Sequence, residues 1–119
     1  MIDLKLGEIE SRFADIIWQH APVSSGILAQ LAEKELGWKK STTYTILKRF
    51  CQKGIFQNEK GTVSALVTKA EFCAMQSEKV VQESFGGSLP AFVAAFGSRK
   101  KLSEEEIGQL QRIIDSMRR

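Results

Sequence analysis

The sequence predicts a mainly α-helical chain in which three helices and a two-stranded hairpin precede three further helices. Three observations carry that expectation. Apolar residues recur at i, i+3, i+4 and i+7 in separate stretches, the spacing of one helix face. Start and stop signals fall between them: capping boxes at Thr68/Glu71 and Ser103/Glu106, and glycine terminators at Gly37, Gly54 and Gly86-Gly87. Between Gly54 and Thr68 the pattern changes to short apolar and β-branched runs around a Lys60-Gly61-Thr62 turn.

At 119 residues the chain is one domain, or one small domain with an appendage, and 43% apolar content is ample for a core. The net charge of +3 and pI near 9.0 permit an anionic partner, although the clustering of charge says more than the total. Met1-Ile2-Asp3-Leu4 has neither the basic start nor the apolar run of a signal peptide. No stretch approaches the roughly 18 apolar residues of a membrane span, so a cytoplasmic location is expected. Cys51 and Cys73 both fall inside predicted helices among apolar neighbours, which suggests reduced, buried thiols rather than a disulfide.

The first helix is expected over residues 5–20. Leu6, Ile9, Phe13, Ile16 and Ile17 form its apolar stripe, and Glu8, Glu10, Arg12 and Asp15 take the other side. Trp18 fits core packing, and His20, the single histidine, fits a helix C-terminus, where an imidazole suits the dipole. Ala21-Pro22-Val23-Ser24 is expected as a turn. A second helix follows from about Ser25 to Leu36, with Ile27, Leu28, Leu31 and Ala32 inward and Gly37 as its stop.

The third helix is the informative one. Ser41 reads as its N-cap and Gly54 as its stop, with Thr43, Ile46, Leu47 and Phe50 on the apolar face. At about 100° per residue the opposite face is Ser41, Thr45, Lys48 and Gln52, flanked by Tyr44 and Arg49. From Gly37 to Asn58 there are five Lys or Arg and no Asp or Glu. Ordinary solvated faces mix both signs. A one-sign face rich in short polar groups suits the DNA major groove, where cations meet phosphates and short donors reach base edges. The candidate DNA-binding residues are Lys39, Lys40, Ser41, Thr42, Tyr44, Thr45, Lys48 and Arg49. Two short helices joined by a tight turn, the second basic outward, make a helix-turn-helix signature, which a plain three-helix bundle would share.

Ile55–Glu59 and Val63–Val67 are expected to pair as a hairpin, with Lys60 at its tip as a further phosphate contact. That completes a winged helix-turn-helix over residues 1–67. Residues 68–119 are then a three-helix segment. Its first helix runs from the Thr68/Glu71 box to about Phe85, and its second is short, Leu89–Phe96, with Pro90 tolerated in the first turn. The third starts at the Ser103/Glu106 box and carries Ile107, Leu110, Ile113, Ile114 and Met117. Gly97–Lys101 is expected as an exposed link. So many large apolar residues on three short helices cannot close a core alone, which points to a second copy of the segment, or to packing back on the first domain. The residues assigned to dimerisation are Phe72, Val81, Phe85, Leu89, Phe92, Val93, Phe96, Ile107, Leu110 and Ile114.

The sequence resembles the penicillinase-repressor (BlaI/MecI) family of bacterial winged-helix regulators, which also includes copper-responsive CopY-type repressors. The resemblance is carried by Leu6–Glu10 through Ile17-Trp18, Gly37-Trp38, Ser41–Arg49, Lys53-Gly54-Ile55, Phe85–Ser88 and Leu102–Glu106. It implies a homodimeric repressor on a palindromic operator, released by an inducing signal. In the β-lactam branch that signal is cutting of the repressor through a membrane sensor-protease pathway. By alignment the cut would fall near Ala95-Phe96, where this chain has Ala95 in place of that branch's Asn. The copper branch carries a carboxy-terminal cysteine cluster, which Ser116-Met117-Arg118-Arg119 lacks. The second wing strand also lacks the aromatics often found there in the family.

Catalysis has little support. No nucleophile–base spacing, phosphate-binding glycine loop or metal-ligand cluster is present, so no cofactor and no metal are expected. Two other classes compete with DNA binding. One is a protein-interaction module whose basic helix docks an acidic partner. The other is a ligand-sensing regulator with a pocket lined by Phe92, Phe96 and Met117.

Overall fold

Residues 2–118 are described by a computed structural model and form six helices and three short strands. In order these are α1 (Glu8–His20), β1 (Val23–Ser24), α2 (Ser25–Leu36), α3 (Lys40–Gln52), β2 (Phe56–Glu59), β3 (Thr62–Ala65), α4 (Lys69–Phe85), α5 (Leu89–Arg99) and α6 (Glu104–Ser116). The chain is mainly helical, and a winged helix-turn-helix is followed by a helical segment. No helix among the described residues is long and apolar enough to cross a membrane.

Two compact units divide at Ser77/Glu78. The expected boundary was 67/68, and the difference has a physical cause. The first turns of α4 insert Phe72, only 2% exposed, into the core of the first unit. Phe72 therefore cannot serve the dimerisation role that the sequence suggested for it. Its ring lies 5.5 Å from that of Trp18.

The core of the first unit is built on a run of aromatic rings. Trp38 packs on Phe13 at 5.0 Å, Phe13 on Phe50 at 5.6 Å, and Phe50 on Phe56 at 5.8 Å. Trp18 then lies 5.2 Å from Phe56. These separations suit tilted and offset aromatic pairs. On α1, Phe13, Ile16 and Ile17 are buried as expected but Ile9 is 46% exposed, and on α3 Thr43, Leu47 and Phe50 are buried. In α2, Leu28 and Ala32 are buried but Ile27 is 49% exposed, so the inward stripe is narrower than predicted.

Several boundaries moved. The first helix begins at Glu8, and Gly7 takes the extended N-cap position. Before it, Ile2, Leu4 and Leu6 alternate with exposed Asp3 and Lys5 as a strap packed against the core. Two adjacent residues tie the strap down: Asp3 N–H donates to the Lys53 carbonyl at 3.1 Å, and the Leu4 carbonyl accepts from Gln76 Nε2 at 2.9 Å. In the third helix Lys39, not Ser41, is the N-cap, because the Thr43 amide already donates to the Lys39 carbonyl at 3.1 Å. Gly54 closes that helix as expected, with φ of +82°.

The hairpin pairs Phe56 with Ala65 and Glu59 with Thr62. Its tip is Lys60-Gly61, with φ of +54° and +87°, the two-residue turn that matches strand twist. A third strand, β1, pairs with β3 through Val23↔Val63 and Ser24↔Thr62, giving the order β1-β3-β2. Two residues beside Pro22 carry no period of their own, so only the pairing reveals the strand. The Gly61 carbonyl also accepts from Ser25 N–H at 2.8 Å, which anchors the hairpin tip to the start of α2.

In the second unit, α5 extends to Arg99, three residues past its expected end at Phe96. The helical cost of Gly97 is about 1 kcal/mol relative to Ala. It is offset by continued bonding: Lys100 N–H donates to the Phe96 carbonyl at 3.0 Å, and Ser98 Oγ donates to that of Ala95 at 2.7 Å. Arg99 in the last turn also suits the dipole. Ala95 and Phe96 therefore lie in a helix, not beside an open link, and the link itself is residues 100–103. Both capping boxes formed as read, at Thr68/Glu71 and Ser103/Glu106. Bonding to the Thr68 backbone, and then to its hydroxyl, holds the Glu71 carboxyl below its ordinary range.

Candidate nucleic-acid interface

The exposed side of α3 keeps the character read from the sequence. Lys39, Lys40, Ser41, Thr42, Thr45, Lys48, Arg49 and Gln52 are all exposed, and Tyr44 is at the margin with 36% of its surface accessible. Thr43, Leu47 and Phe50 lock the other side into the core, so the rotation of the helix about its axis is fixed by packing. Lys40 Nζ sits 5.9 Å from the centre of the Tyr44 ring, within cation–π range, and steadies both side chains in the first turns. Thr45 Oγ1 donates to the Ser41 carbonyl at 3.0 Å. With its proton engaged on the helix, Thr45 has its methyl group and the remaining oxygen lone pairs left for an outside partner.

The cations of this helix divide into two groups. Lys39, Lys40 and Lys48 stand on the exposed side. Arg49 leans toward α1, where Nη1 meets Glu10 Oε2 at 3.2 Å. Lys53 is turned into the strap: Nζ lies 3.5 Å from Asp3 Oδ2 and also donates to the Lys5 carbonyl. Its side chain is only 14% exposed. The sequence therefore overstated the charge available on α3, since Arg49 and Lys53 already have anionic neighbours. Glu10 carried no local signal for this role, because thirty-nine positions separate it from Arg49. Lys60 is exposed at the hairpin tip, whose position the Ser25–Gly61 bond holds.

The residues assigned to dimerisation fall into three groups. Phe72 is in the first core. Val81, Phe85 and Phe92 are half-buried within the second unit, and Phe85 meets Phe92 edge-on at 5.4 Å. Leu89, Val93, Phe96, Ile107, Leu110 and Ile114 are exposed, together with Ile113 and Met117. A groove of about 320 Å³ between α5 and α6 is lined by Phe92, Phe96, Leu102, Leu110 and Ile113. Met117 does not line it.

Neither thiol is fully buried, against expectation. Cys51 is half-buried and Cys73 is exposed, and both are free. Burial raises the pKa of the Cys51 thiol, opposed more weakly by a backbone hydrogen bond at Asn58. Cys73 lies on the solvent side of α4 because Phe72 takes the inward position beside it. Among the described residues no group of three His, Cys, Asp or Glu side chains is arranged to hold a metal ion.

The profile of a family described as "Penicillinase repressor" matches residues 6–116 of the chain. The penicillinase repressor of Bacillus licheniformis is 24% identical over 115 residues, covering 93% of this chain and 90% of its own. The methicillin resistance regulatory protein MecI of Staphylococcus aureus is 24% identical over 121 residues, covering 96% of this chain and 98% of its own. MecI of Mammaliicoccus sciuri is 23% identical with the same coverage.

Proposed function

The chain belongs to the penicillinase repressor family of transcriptional regulators, and from that premise we propose that it is a homodimeric repressor of a palindromic DNA operator. The observation that carries the reading is the exposed side of α3, polar and cationic and without a carboxylate of its own. Thr42, Tyr44 and Thr45 in its first turns read base edges, while Lys39, Lys40 and Lys48 hold phosphates. Lys60 at the hairpin tip adds a phosphate contact beside the groove. The first unit is the DNA-binding part and the second the dimerising part.

Dimerisation rests on the exposed apolar faces of α5 and α6. Side chains such as Val93, Phe96 and Ile114 are about half exposed, and contiguous exposed apolar surface of this kind marks an interaction site. A second copy covers them in a two-fold arrangement, and the α5–α6 groove becomes part of that interface. Two linked half-sites then give an affinity that neither half reaches alone. Release follows an inducing signal, for which cutting of the chain in a β-lactam response through a membrane sensor-protease pathway is the reading the family favours. Such a regulator acts in the cytoplasm, without catalysis and without a cofactor.

The test is binding of the unmodified protein to random and operator duplexes as salt is varied. Affinity should fall steeply with salt, and Lys48→Ala should lower the slope by about 0.9 per subunit. Binding to duplex DNA that is absent, or indifferent to salt, would overturn the reading in favour of a protein-partner module.

A further inference from the structure

We propose that Glu10 withholds Arg49 from DNA and thereby limits how strongly the recognition helix grips the phosphate backbone. The inference rests on the DNA-binding reading above. Arg49 lies on the flank of the exposed face, one turn beyond Thr45, and its guanidinium is 3.2 Å from Glu10 Oε2. An exposed ion pair is ordinarily a weak restraint, but this carboxylate is fixed from its other side. Glu10 is the third residue of α1, and its Oε1 accepts the Gly7 amide at 3.2 Å. Gly7 has no side chain to cap the helix, so Glu10 supplies the reach-back contact, at the helix end where an anion is favoured. Its side chain is only 21% exposed, against 52% for Arg49. Swinging Glu10 away to release Arg49 would forfeit that cap.

The charge balance gives the consequence. Glu10 and Arg49 together carry no net charge. If Arg49 moved to a phosphate it would exchange one anionic oxygen for another and leave the Glu10 carboxylate facing a polyanion. The pair therefore adds nothing to counterion release. Lys53 is similarly matched by Asp3, so the salt dependence of binding comes from Lys39, Lys40, Lys48 and Lys60. Glu10 acts as a positioning residue that keeps attraction to random DNA low.

Glu10→Gln tests this with little risk to the fold, because glutamine at that position still accepts the Gly7 amide. The measurement is affinity for a random-sequence duplex across salt, for the parent, E10Q and E10Q/R49Q, with circular dichroism as the check on folding. E10Q should steepen the slope by about 0.9 per subunit, a gain of about threefold for each subunit bound at roughly 50 mM salt relative to roughly 200 mM. E10Q/R49Q, again neutral at the pair, should return to the parental slope. An unchanged slope in E10Q would overturn the inference. So would a double variant flatter than the parent by about 0.9 per subunit, since Arg49 would then already reach phosphate. Failure of the parent itself to bind in a salt-dependent way would instead overturn the DNA reading, and this inference with it.

Discussion

The indole Nε1–H of Trp18 donates to the Val67 carbonyl at 2.9 Å, joining the end of α1 to the segment between the hairpin and α4. The same ring packs on Phe56 of the hairpin and Phe72 of α4. One side chain thus fixes three elements around the candidate interface. Trp18→Phe keeps an aromatic ring but leaves that carbonyl without its donor and loses packed volume. We expect a loss of about 1–3 kcal/mol in the stability of the first unit. Denaturant unfolding showing no change in midpoint would contradict the assignment.

Phe72 and Phe96 should separate folding from association. Phe72 is buried in the first core, whereas Phe96 is 49% exposed on α5. Phe72→Ala should cost about 3–5 kcal/mol of stability. Phe96→Asp should leave the first unit as stable as before and produce a monomer in sedimentation at micromolar concentration. Dimers persisting in the Phe96→Asp variant would remove these faces from the proposed interface.

Tyr44 and Thr45 are assigned to reading rather than holding. Tyr44→Ala or Thr45→Ala should cost about 1–3 kcal/mol on the operator and less on random duplex. Because the Thr45 hydroxyl proton is engaged on Ser41, Thr45→Val should retain more operator affinity than Thr45→Ala if a thymine methyl is what it meets. Equal losses on operator and random DNA would refute the reading role.

The two thiols should react at different rates. Cys73 is exposed, while Cys51 is half-buried and burial pushes its pKa up, which keeps it protonated at neutral pH. The thiolate is the nucleophile, so iodoacetamide should alkylate Cys73 first and leave Cys51 slow until the protein unfolds. Peptide mapping after brief labelling checks this, and faster modification of Cys51 would contradict the burial of its thiol.

Proteolysis bears on induction. Ala95 and Phe96 lie within α5, and their carbonyls are engaged by Ser98 and Lys100. Native cleavage should therefore begin in the link after α5, at Lys100 or Lys101, and reach Ala95-Phe96 only through local unfolding. Limited trypsin digestion read by mass spectrometry tests the order, alongside a slower attack at Phe96 by a protease with apolar preference. A protein ending at Ala95 should keep a folded first unit but lose tight operator binding. Operator affinity equal to that of the full chain at nanomolar concentration would rule out cleavage as the switch.

The sequence by itself determined the helices, both capping boxes, the Lys60-Gly61 turn, the buried face of α3 and most of that of α1, and the family resemblance. Each of these is local, set by a period, a cap or a turn within a few residues. Tertiary structure decided the rest. Val23-Ser24 becomes a strand only because β3 lies beside it. Phe72 belongs to the first core rather than to a dimer face because the start of α4 packs against Trp18. Trp38, which reads as a mere approach to α3, is the end of a run of packed rings through Phe13 and Phe50. Above all, Arg49 and Lys53 look like free cations on one helix, and only the fold brings Glu10 and Asp3 to them. Charge pairing across tens of residues has no sequence period, so the charge that α3 presents had to be read from the structure.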